Sequence, residues 1–257
     1  MNLFFRKFGS GKPLIILHGL FGSSDNWQTL AKRFSERRLV IVPDLRNHGQ
    51  SPRAHEINYP VMARDIHELL AGLQLEPADL IGHSMGGKTA MQFSLSYPGE
   101  TGKLVVADIS PRKYPIHHDG YIDSLLKLDL ASFRRREEVD EALSEDIKST
   151  PVRQFLLKNL ARDHDGHFTW KIDLRSIKNN LENLSEEINS RSVFHNPSLF
   201  IAGGRSDYMS IKDIPVIKKL FPDSRFMTFE DSGHWIHADN PERFYAEVTR
   251  FLDNAHD

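Results

Sequence analysis

Short apolar segments alternate with longer amphipathic segments along most of the chain. The apolar segments are continuous aliphatic runs, which are typical of strands buried on both faces of a parallel sheet. The amphipathic segments carry apolar residues at helical spacing, and they cover residues 62–73, 90–97 and 244–252. We predict seven strands, at residues 3–8, 14–19, 39–44, 78–84, 103–109, 198–204 and 225–231.

Strands that alternate with helices predict an α/β fold, with a mostly parallel central sheet flanked by helices. The stretch between residues 109 and 196 breaks this alternation, because it is charged, helix-like and without a clear strand. We therefore predict a core domain formed by residues 1–110 and 191–257, with residues 111–190 inserted over one edge of the sheet as a helical lid. A separate helical domain is the alternative.

The composition excludes several classes of function. Lys and Arg number 33 against 35 Asp and Glu, so the chain lacks the basic character of a nucleic-acid-binding domain. The absence of cysteine excludes disulfides, thiolate metal sites and a cysteine nucleophile. No apolar run approaches the roughly 20 residues of a membrane span. We expect a cytoplasmic protein, monomeric or homodimeric, that acts on a small molecule without a cofactor or metal.

The sequence GHSMGG, residues 82–87, contains the pattern G-x-S-x-G directly after a predicted strand and before a predicted helix. This is the setting of a nucleophile elbow, in which a sharp turn exposes the serine above the sheet. Small residues at Gly82 and Gly86 permit the turn, and the helix amino terminus favours developing negative charge. Ser84 is thus a candidate nucleophile.

The same loop also fits the phosphate-binding pattern G-x-x-x-x-G-K-[ST], through Gly82, Gly87, Lys88 and Thr89. A P-loop also lies between a strand and a helix, so the local context does not separate nucleotide binding from hydrolysis. The rest of the chain has to decide between them.

Three further features favour a serine hydrolase. His234 follows the last predicted strand in a glycine turn and can act as the base, and two aspartates end strands between nucleophile and base. The oxyanion can be bound by main-chain N–H groups, one from the HGLFG turn and one after the nucleophile. The P-loop interpretation explains none of these features. The residues concerned are the acids Asp108 and Asp207 and the oxyanion donors Leu20 and Met85.

The segments HGLFGSSDNW, DLRNHGQSP, GHSMGGKTAM, VVADISP and DSGHWIHADNPERF resemble the α/β-hydrolase superfamily. More closely, they are similar to YbfF-type esterases and abhydrolase-domain 11 proteins, from residue 14 to about residue 252. The resemblance implies a lid-covered esterase or thioesterase acting on acyl substrates, and acyl-CoA is one candidate substrate. Cofactor-free perhydrolase or carbon–carbon hydrolase activity would use the same three catalytic residues.

The resemblance also bears on the acid. Asp207 has the spacing that is usual in the superfamily, whereas Asp108 lies in the segment that resembles the subfamily, so we favour Asp108 and keep Asp207 as its rival. Ser206 is then expected to bridge to His234 through its hydroxyl. The aromatic residues that border the predicted site, and that could line an acyl pocket, are Phe21, Tyr208 and Trp235. We do not predict a metal site at His117 and His118, because no partner carboxylates follow at a recognisable spacing.

Overall fold

A central sheet of seven strands carries the fold in the computed structural model, which describes residues 1–75, 77–116 and 119–254. Its strand order is β1-β3-β2-β4-β5-β8-β9, and every neighbouring pair is parallel except β1 with β3. The predicted α/β fold is therefore confirmed. The strands are β1 (Phe5–Phe8), β2 (Pro13–Leu17), β3 (Leu39–Pro43), β4 (Ala78–His83), β5 (Thr101–Ala107), β6 (Leu160–Arg162), β7 (Phe168–Trp170), β8 (Ser198–Gly203) and β9 (Ser224–Phe229).

Helices cover both faces of this sheet. Two of the longer ones begin at an asparagine, because the side-chain oxygens of Asn58 and Asn240 accept main-chain N–H groups of the first turn and a proline follows in that turn. The helices are α1 (Gln28–Phe34), α2 (Tyr59–Leu73), α3 (Met85–Ser96), α4 (Asp119–Lys127), α5 (Arg136–Ser144), α6 (Thr150–Leu156), α7 (Leu174–Asn179), α8 (Leu181–Ser185), α9 (Ile214–Leu220), α10 (Ile236–Asp239) and α11 (Pro241–Asp253).

Successive side chains of the central strands enter two separate hydrophobic cores. In β2, Ile15 and Leu17 pack with α2 and α3, whereas Leu14 and Ile16 pack with α1 and α11. All four are fully buried, which explains why the strand reads as a continuous aliphatic run. The core next to α2 and α3 continues into the helices of residues 119–185.

The two edge strands differ from the expectation of burial on both faces. Residues of β1 and β9 are largely half-buried or exposed, because an edge strand has a neighbour on one side alone. Their aliphatic content is also lower than that of β2 or β3, so the sequence did carry this signal.

Residues 111–190 are helical for most of their length, but the expectation that they contain no strand is wrong. They include the antiparallel hairpin of β6 and β7. Its turn is closed by Asp163, whose carboxylate accepts the N–H groups of Asp165 and His167. Strands of three residues are too short to show a period of two, which is why the pattern gave no sign of them.

The insertion begins after β5, at the carboxyl ends of the parallel strands, and ends before β8. The carboxyl ends of the strands therefore face the insertion, and the predicted site residues lie between these strand ends and the insertion.

Among the described helices, none combines the length and the apolar character that a membrane span requires.

Candidate active site

Ser84 lies in a sharp turn between β4, the central strand of the sheet, and α3. Its backbone has φ 53° and ψ −120°, a conformation that L-residues rarely adopt. The turn is tight enough that a Cβ on Gly82 would lie 2.3 Å from the carbonyl oxygen of Gly86. This is the geometry of a nucleophile elbow, which holds the serine hydroxyl clear of the strand.

The structure brings Ser84, His234 and Asp108 into one hydrogen-bonded chain. Ser84 Oγ lies 3.0 Å from His234 Nε2, and His234 Nδ1 lies 2.8 Å from Asp108 Oδ2. The three residues come from the ends of β4, β9 and β5, so adjacent and near strands deliver them to the same edge of the sheet. With the Nδ1 proton held by the carboxylate, Nε2 is free to accept the serine proton.

Asp108 is fully buried and has three partners. Its Oδ1 accepts the N–H of Gly203 at 2.8 Å, and its Oδ2 accepts the hydroxyl of Ser206 as well as the His234 ring. Asp207 is exposed, and its main-chain carbonyl accepts a bond from Arg112. The geometry therefore joins Asp108, and not Asp207, to the imidazole. Ser206 contacts the carboxylate, whereas the sequence analysis expected it to reach the histidine itself.

A second histidine, His83, binds the main chain of His234. His83 Nε2 donates to the main-chain carbonyl of His234 at 2.8 Å, and the two rings lie 4.7 Å apart. Burial lowers the pKa of His83 well below its usual range, with the neighbouring histidines adding to the effect. His83 is thus a neutral donor.

The two predicted oxyanion donors belong to segments that lie close to Ser84. Met85 is the first residue of α3, so its N–H belongs to the helix turn whose N–H groups have no acceptor within the helix. Leu20 follows Gly19, where a Cβ would lie 2.8 Å from His83 Nδ1 and 3.2 Å from the Cβ of Ser84. Glycine at position 19 therefore lets the Leu20 turn approach the serine closely.

Two cavities meet at Ser84. The smaller, of about 60 Å³, lies beside Met85 and is lined among others by Tyr59, Lys88, Tyr114 and Leu184. The larger, of about 170 Å³, lies beside His234 and is lined among others by Val152, Phe155 and Leu156 of the insertion. Leu20 and Tyr208 border both cavities, so the serine stands between two compartments.

The three aromatic residues predicted to border the site do line these cavities. Phe21 and Trp235 line the larger one, where the Trp235 and Phe155 ring centroids are 5.3 Å apart. The Tyr208 ring stacks on His234, with centroids 3.9 Å apart and planes 24° apart. The stacked tyrosine covers one face of the imidazole and shields it from water.

The residues that suggested a phosphate-binding loop are engaged in the fold. Lys88 Nζ donates to the main-chain carbonyls of Arg112 and Glu186, and Thr89 Oγ1 donates to the carbonyl of Met85. These bonds turn both side chains away from a phosphate cradle above the loop, so the P-loop interpretation finds no support in the contacts.

Among the described residues, one group of side chains could hold a metal ion, in the exposed turn of the β6–β7 hairpin: Asp163, Asp165 and His167. None of them lines either cavity. His117 and His118, which the sequence analysis considered as metal ligands, lie outside the described residues.

Sequence reasoning missed two contacts that join the insertion to the site. Asn159 donates from its side-chain amide to the carbonyl of Phe21 at 2.8 Å, and Lys88 bonds both ends of the insertion. No sequence signal identifies Asn159, because its partner is 138 residues away. Lys88 stands in the pattern G-x-x-x-x-G-K-[ST] and at the predicted start of the helix behind the nucleophile, but neither feature indicates that its Nζ binds main-chain carbonyls.

A mostly parallel sheet with this strand order, and a nucleophile elbow after its central strand, defines the class of α/β hydrolases. The family model described as "alpha/beta hydrolase fold" matches residues 12–241, and the chain belongs to this family.

Relatives of known name refine the comparison. The chain is 39% identical over 252 residues to the sn-1-specific diacylglycerol lipase ABHD11 of Danio rerio, covering 95% of this chain and 79% of that protein. It is 32% identical over 248 residues to Esterase YbfF of Escherichia coli, covering 95% and 94% of the two chains. Among solved structures, a marine microorganism esterase has a TM-score of 0.95 at 44% identity, covering 97% of this chain and 99% of that one. The predicted resemblance is confirmed.

Proposed function

We propose that this protein is a serine hydrolase that cleaves carboxylic esters through an acyl-enzyme. The observation that carries the proposal is the unbroken contact from Ser84 Oγ to His234 Nε2 and from His234 Nδ1 to Asp108, at 3.0 and 2.8 Å. The names of the relatives, which include esterases and a lipase, support ester hydrolysis as the reaction class.

The first half of the reaction acylates the serine. Ser84 Oγ attacks the ester carbonyl carbon while its proton passes to His234 Nε2, and the carbonyl oxygen becomes an oxyanion between the N–H groups of Leu20 and Met85. The bond to the leaving oxygen then breaks. His234 returns the proton to that oxygen, so an alcohol leaves and the acyl group stays on Ser84.

The second half regenerates the enzyme. Water gives a proton to His234 Nε2 and attacks the acyl carbon, and the oxyanion is held again by the same two N–H groups. Collapse of this intermediate breaks the bond to Ser84 Oγ, which takes back the proton as the carboxylic acid leaves. Asp108 orients the ring and stabilises its positive charge in both halves, and Ser206 and Gly203 hold the Asp108 carboxylate in place.

The position of His234 indicates which cavity binds the leaving group and which binds the acyl chain. The base must protonate the leaving oxygen, so the leaving group occupies the compartment that His234 itself lines, the larger one with Phe155 and Trp235. The acyl chain then occupies the compartment of about 60 Å³ on the Met85 side. We therefore propose esters of short acyl chains with bulky apolar leaving groups as preferred substrates.

Two finer features belong to the same proposal. Residues 111–190 act as a lid that excludes water from the serine, because Tyr114 and Leu184 of this stretch line the smaller cavity and Phe155 lines the larger one. Acyl thioesters, including acyl-CoA, are chemically competent substrates of the same three residues, since the bond to sulfur breaks as the ester bond does and the sulfur takes the proton from His234 to leave as a thiol. A cytoplasmic location stays a prediction from the sequence.

The test is the variant Ser84→Ala assayed on short p-nitrophenyl esters. We expect kcat to fall by about 10⁴-fold or more while the protein stays folded. Ser94→Ala is the matched control, because Ser94 is a fully buried serine of α3, the helix that follows Ser84, and lines neither cavity. Turnover retained by Ser84→Ala would remove the proposal, as would failure of a fluorophosphonate to label Ser84.

A further inference from the structure

Lys88 is a buried lysine one turn of α3 away from Ser84. Only 1% of its surface is exposed, and its Nζ donates to two main-chain carbonyls, that of Arg112 at 2.8 Å and that of Glu186. The same Nζ lies over two aromatic rings, 5.3 Å from the centroid of Tyr59 and 4.8 Å from that of Tyr114. A single side chain of the nucleophile helix thus reaches several segments outside that helix.

The two carbonyls belong to the two ends of the insertion. We call residues 110–116 the first linker and residues 185–189 the second linker, since they connect the core to the helices between them. The linkers are also bonded to each other, by Tyr114 N–H to Ser185 O at 2.9 Å and Ile188 N–H to Pro111 O at 2.7 Å. Lys88 therefore connects both linkers to α3, the helix that follows the nucleophile.

A lysine at this position costs stability that an apolar residue would not. Moving an ammonium group out of water is unfavourable, and the two carbonyl bonds and two aromatic rings offset this cost only in part. Methionine has nearly the same length and volume and carries no such penalty. Lysine differs from methionine at this position because its Nζ donates hydrogen bonds to both linkers.

The linkers form walls of the acyl compartment. Tyr114 and Ile116 of the first linker and Ser185 of the second line the smaller cavity, together with Leu184 next to it and with Lys88 itself. The depth of this compartment therefore depends on how closely the two linkers are held against α3.

We propose that Lys88 is a positioning residue that clamps both linkers of the insertion to the nucleophile helix and thereby sets the length of acyl chain that the enzyme accepts. The part of this inference that concerns acyl chains rests on the proposed ester hydrolysis. The part that concerns the linkers does not.

The first experiment measures acyl-chain selectivity, as the ratio of kcat/KM for p-nitrophenyl acetate to that for p-nitrophenyl octanoate. In Lys88→Met the compartment loses its clamp and admits longer chains, so the ratio falls by about tenfold, the equivalent of two lost hydrogen bonds. Lys103→Met is the matched control, because Lys103 also bonds main-chain carbonyls, those of Phe251 and Leu252, and lines neither cavity. It should leave the ratio unchanged.

The second experiment needs no enzymatic activity. Trypsin can cleave the first linker after Arg112 or Lys113, and the Lys113 side chain is 61% exposed. We expect cleavage there to accelerate by about tenfold in Lys88→Met and to stay at the wild-type rate in Lys103→Met. If the wild type hydrolyses no ester, the proposed function fails and the digestion still decides whether Lys88 holds the linkers.

The outcomes are distinct. A selectivity ratio and a linker cleavage rate that both stay at wild-type values in a folded Lys88→Met overturn the inference. Equal changes in Lys88→Met and Lys103→Met also overturn it, since they indicate a general loss of packing. If Lys88→Met does not fold, Lys88→Gln replaces it in both assays under the same criteria.

Discussion

His83 and His234 are joined by a hydrogen bond from the ring of one to the backbone of the other. His83 Nε2 donates to the His234 carbonyl at 2.8 Å, so the residue that precedes the nucleophile fixes the main chain of the base. His83, the neighbour of Ser84 in the sequence, thus holds the backbone of His234, which lies 150 residues after Ser84. The separation between nucleophile and base depends on this bond as well as on the contact between them.

The role of His83 can be tested by removing its donor. His83→Phe should lower kcat by about tenfold with little change in KM, because the loop of His234 loses one hydrogen bond while a ring of similar size still lines the larger cavity at this position. His83→Gln places an amide N–H near the same position and should restore most of the activity. A larger change in KM than in kcat would contradict the positioning role.

The two aspartates should differ sharply in importance. Asp108→Asn should lower kcat by about 10⁴-fold, since the amide presents the wrong tautomer preference to His234 Nδ1 and cannot stabilise its charge. Asp207→Asn should stay within about twofold of wild type, because the Asp207 side chain is exposed. Steady-state kinetics on one p-nitrophenyl ester measure both variants, and the opposite ranking would give the role of acid to Asp207.

The two cavities predict opposite effects of substitutions in their walls. Leu184→Phe narrows the compartment of about 60 Å³ and should reduce kcat/KM for butanoate esters more than for acetate esters. Phe155→Ala enlarges the other compartment and should change the preference among alcohols while leaving the preference among acyl chains intact. A matrix of acyl and alcohol lengths measures both effects. An effect of Leu184→Phe on alcohol preference alone would reverse the assignment.

Stability should depend on pH through Lys88. Burial lowers the pKa of Lys88 from its ordinary 10.5 to about 7, and the nearby Arg112 adds to this effect, while Glu186 and Glu187 oppose it. Between these two values the unfolded chain binds more protons at this group than the folded chain does. The contribution of Lys88 to the free energy of unfolding therefore rises with pH across this window.

The measurement is urea unfolding of wild type and Lys88→Met at about pH 7 and about pH 9.5. The free energy of unfolding of wild type relative to the variant should increase between the two pH values. Other titrating groups are common to both proteins and cancel in this difference. A difference that is constant with pH would show that Lys88 keeps its ordinary pKa in the folded protein, and a difference that falls with pH would show that its pKa is raised; either result contradicts the prediction.

Much of the fold follows from local pattern. The seven predicted strands correspond to the seven strands of the main sheet, and the apolar residues at helical spacing in 62–73 and 244–252 lie in α2 and α11. The β6–β7 hairpin escaped prediction because three residues per strand do not define a period. Its turn is held by one aspartate, Asp163, which has the same appearance in sequence as any exposed loop residue.

The sequence by itself determined the class of fold and the place of Ser84 in it, because a strand, a glycine turn and a helix in succession are set by interactions between near neighbours. Only the tertiary structure decided which aspartate contacts His234, since both follow strands in the sequence, whereas in the fold Asp108 is buried beside the His234 ring and Asp207 is exposed. It also decided the partners of Lys88, whose carbonyl acceptors lie 24 and 98 residues further along the chain. Main-chain carbonyls exist at every residue, so no side-chain pattern marks the ones that a lysine will bind.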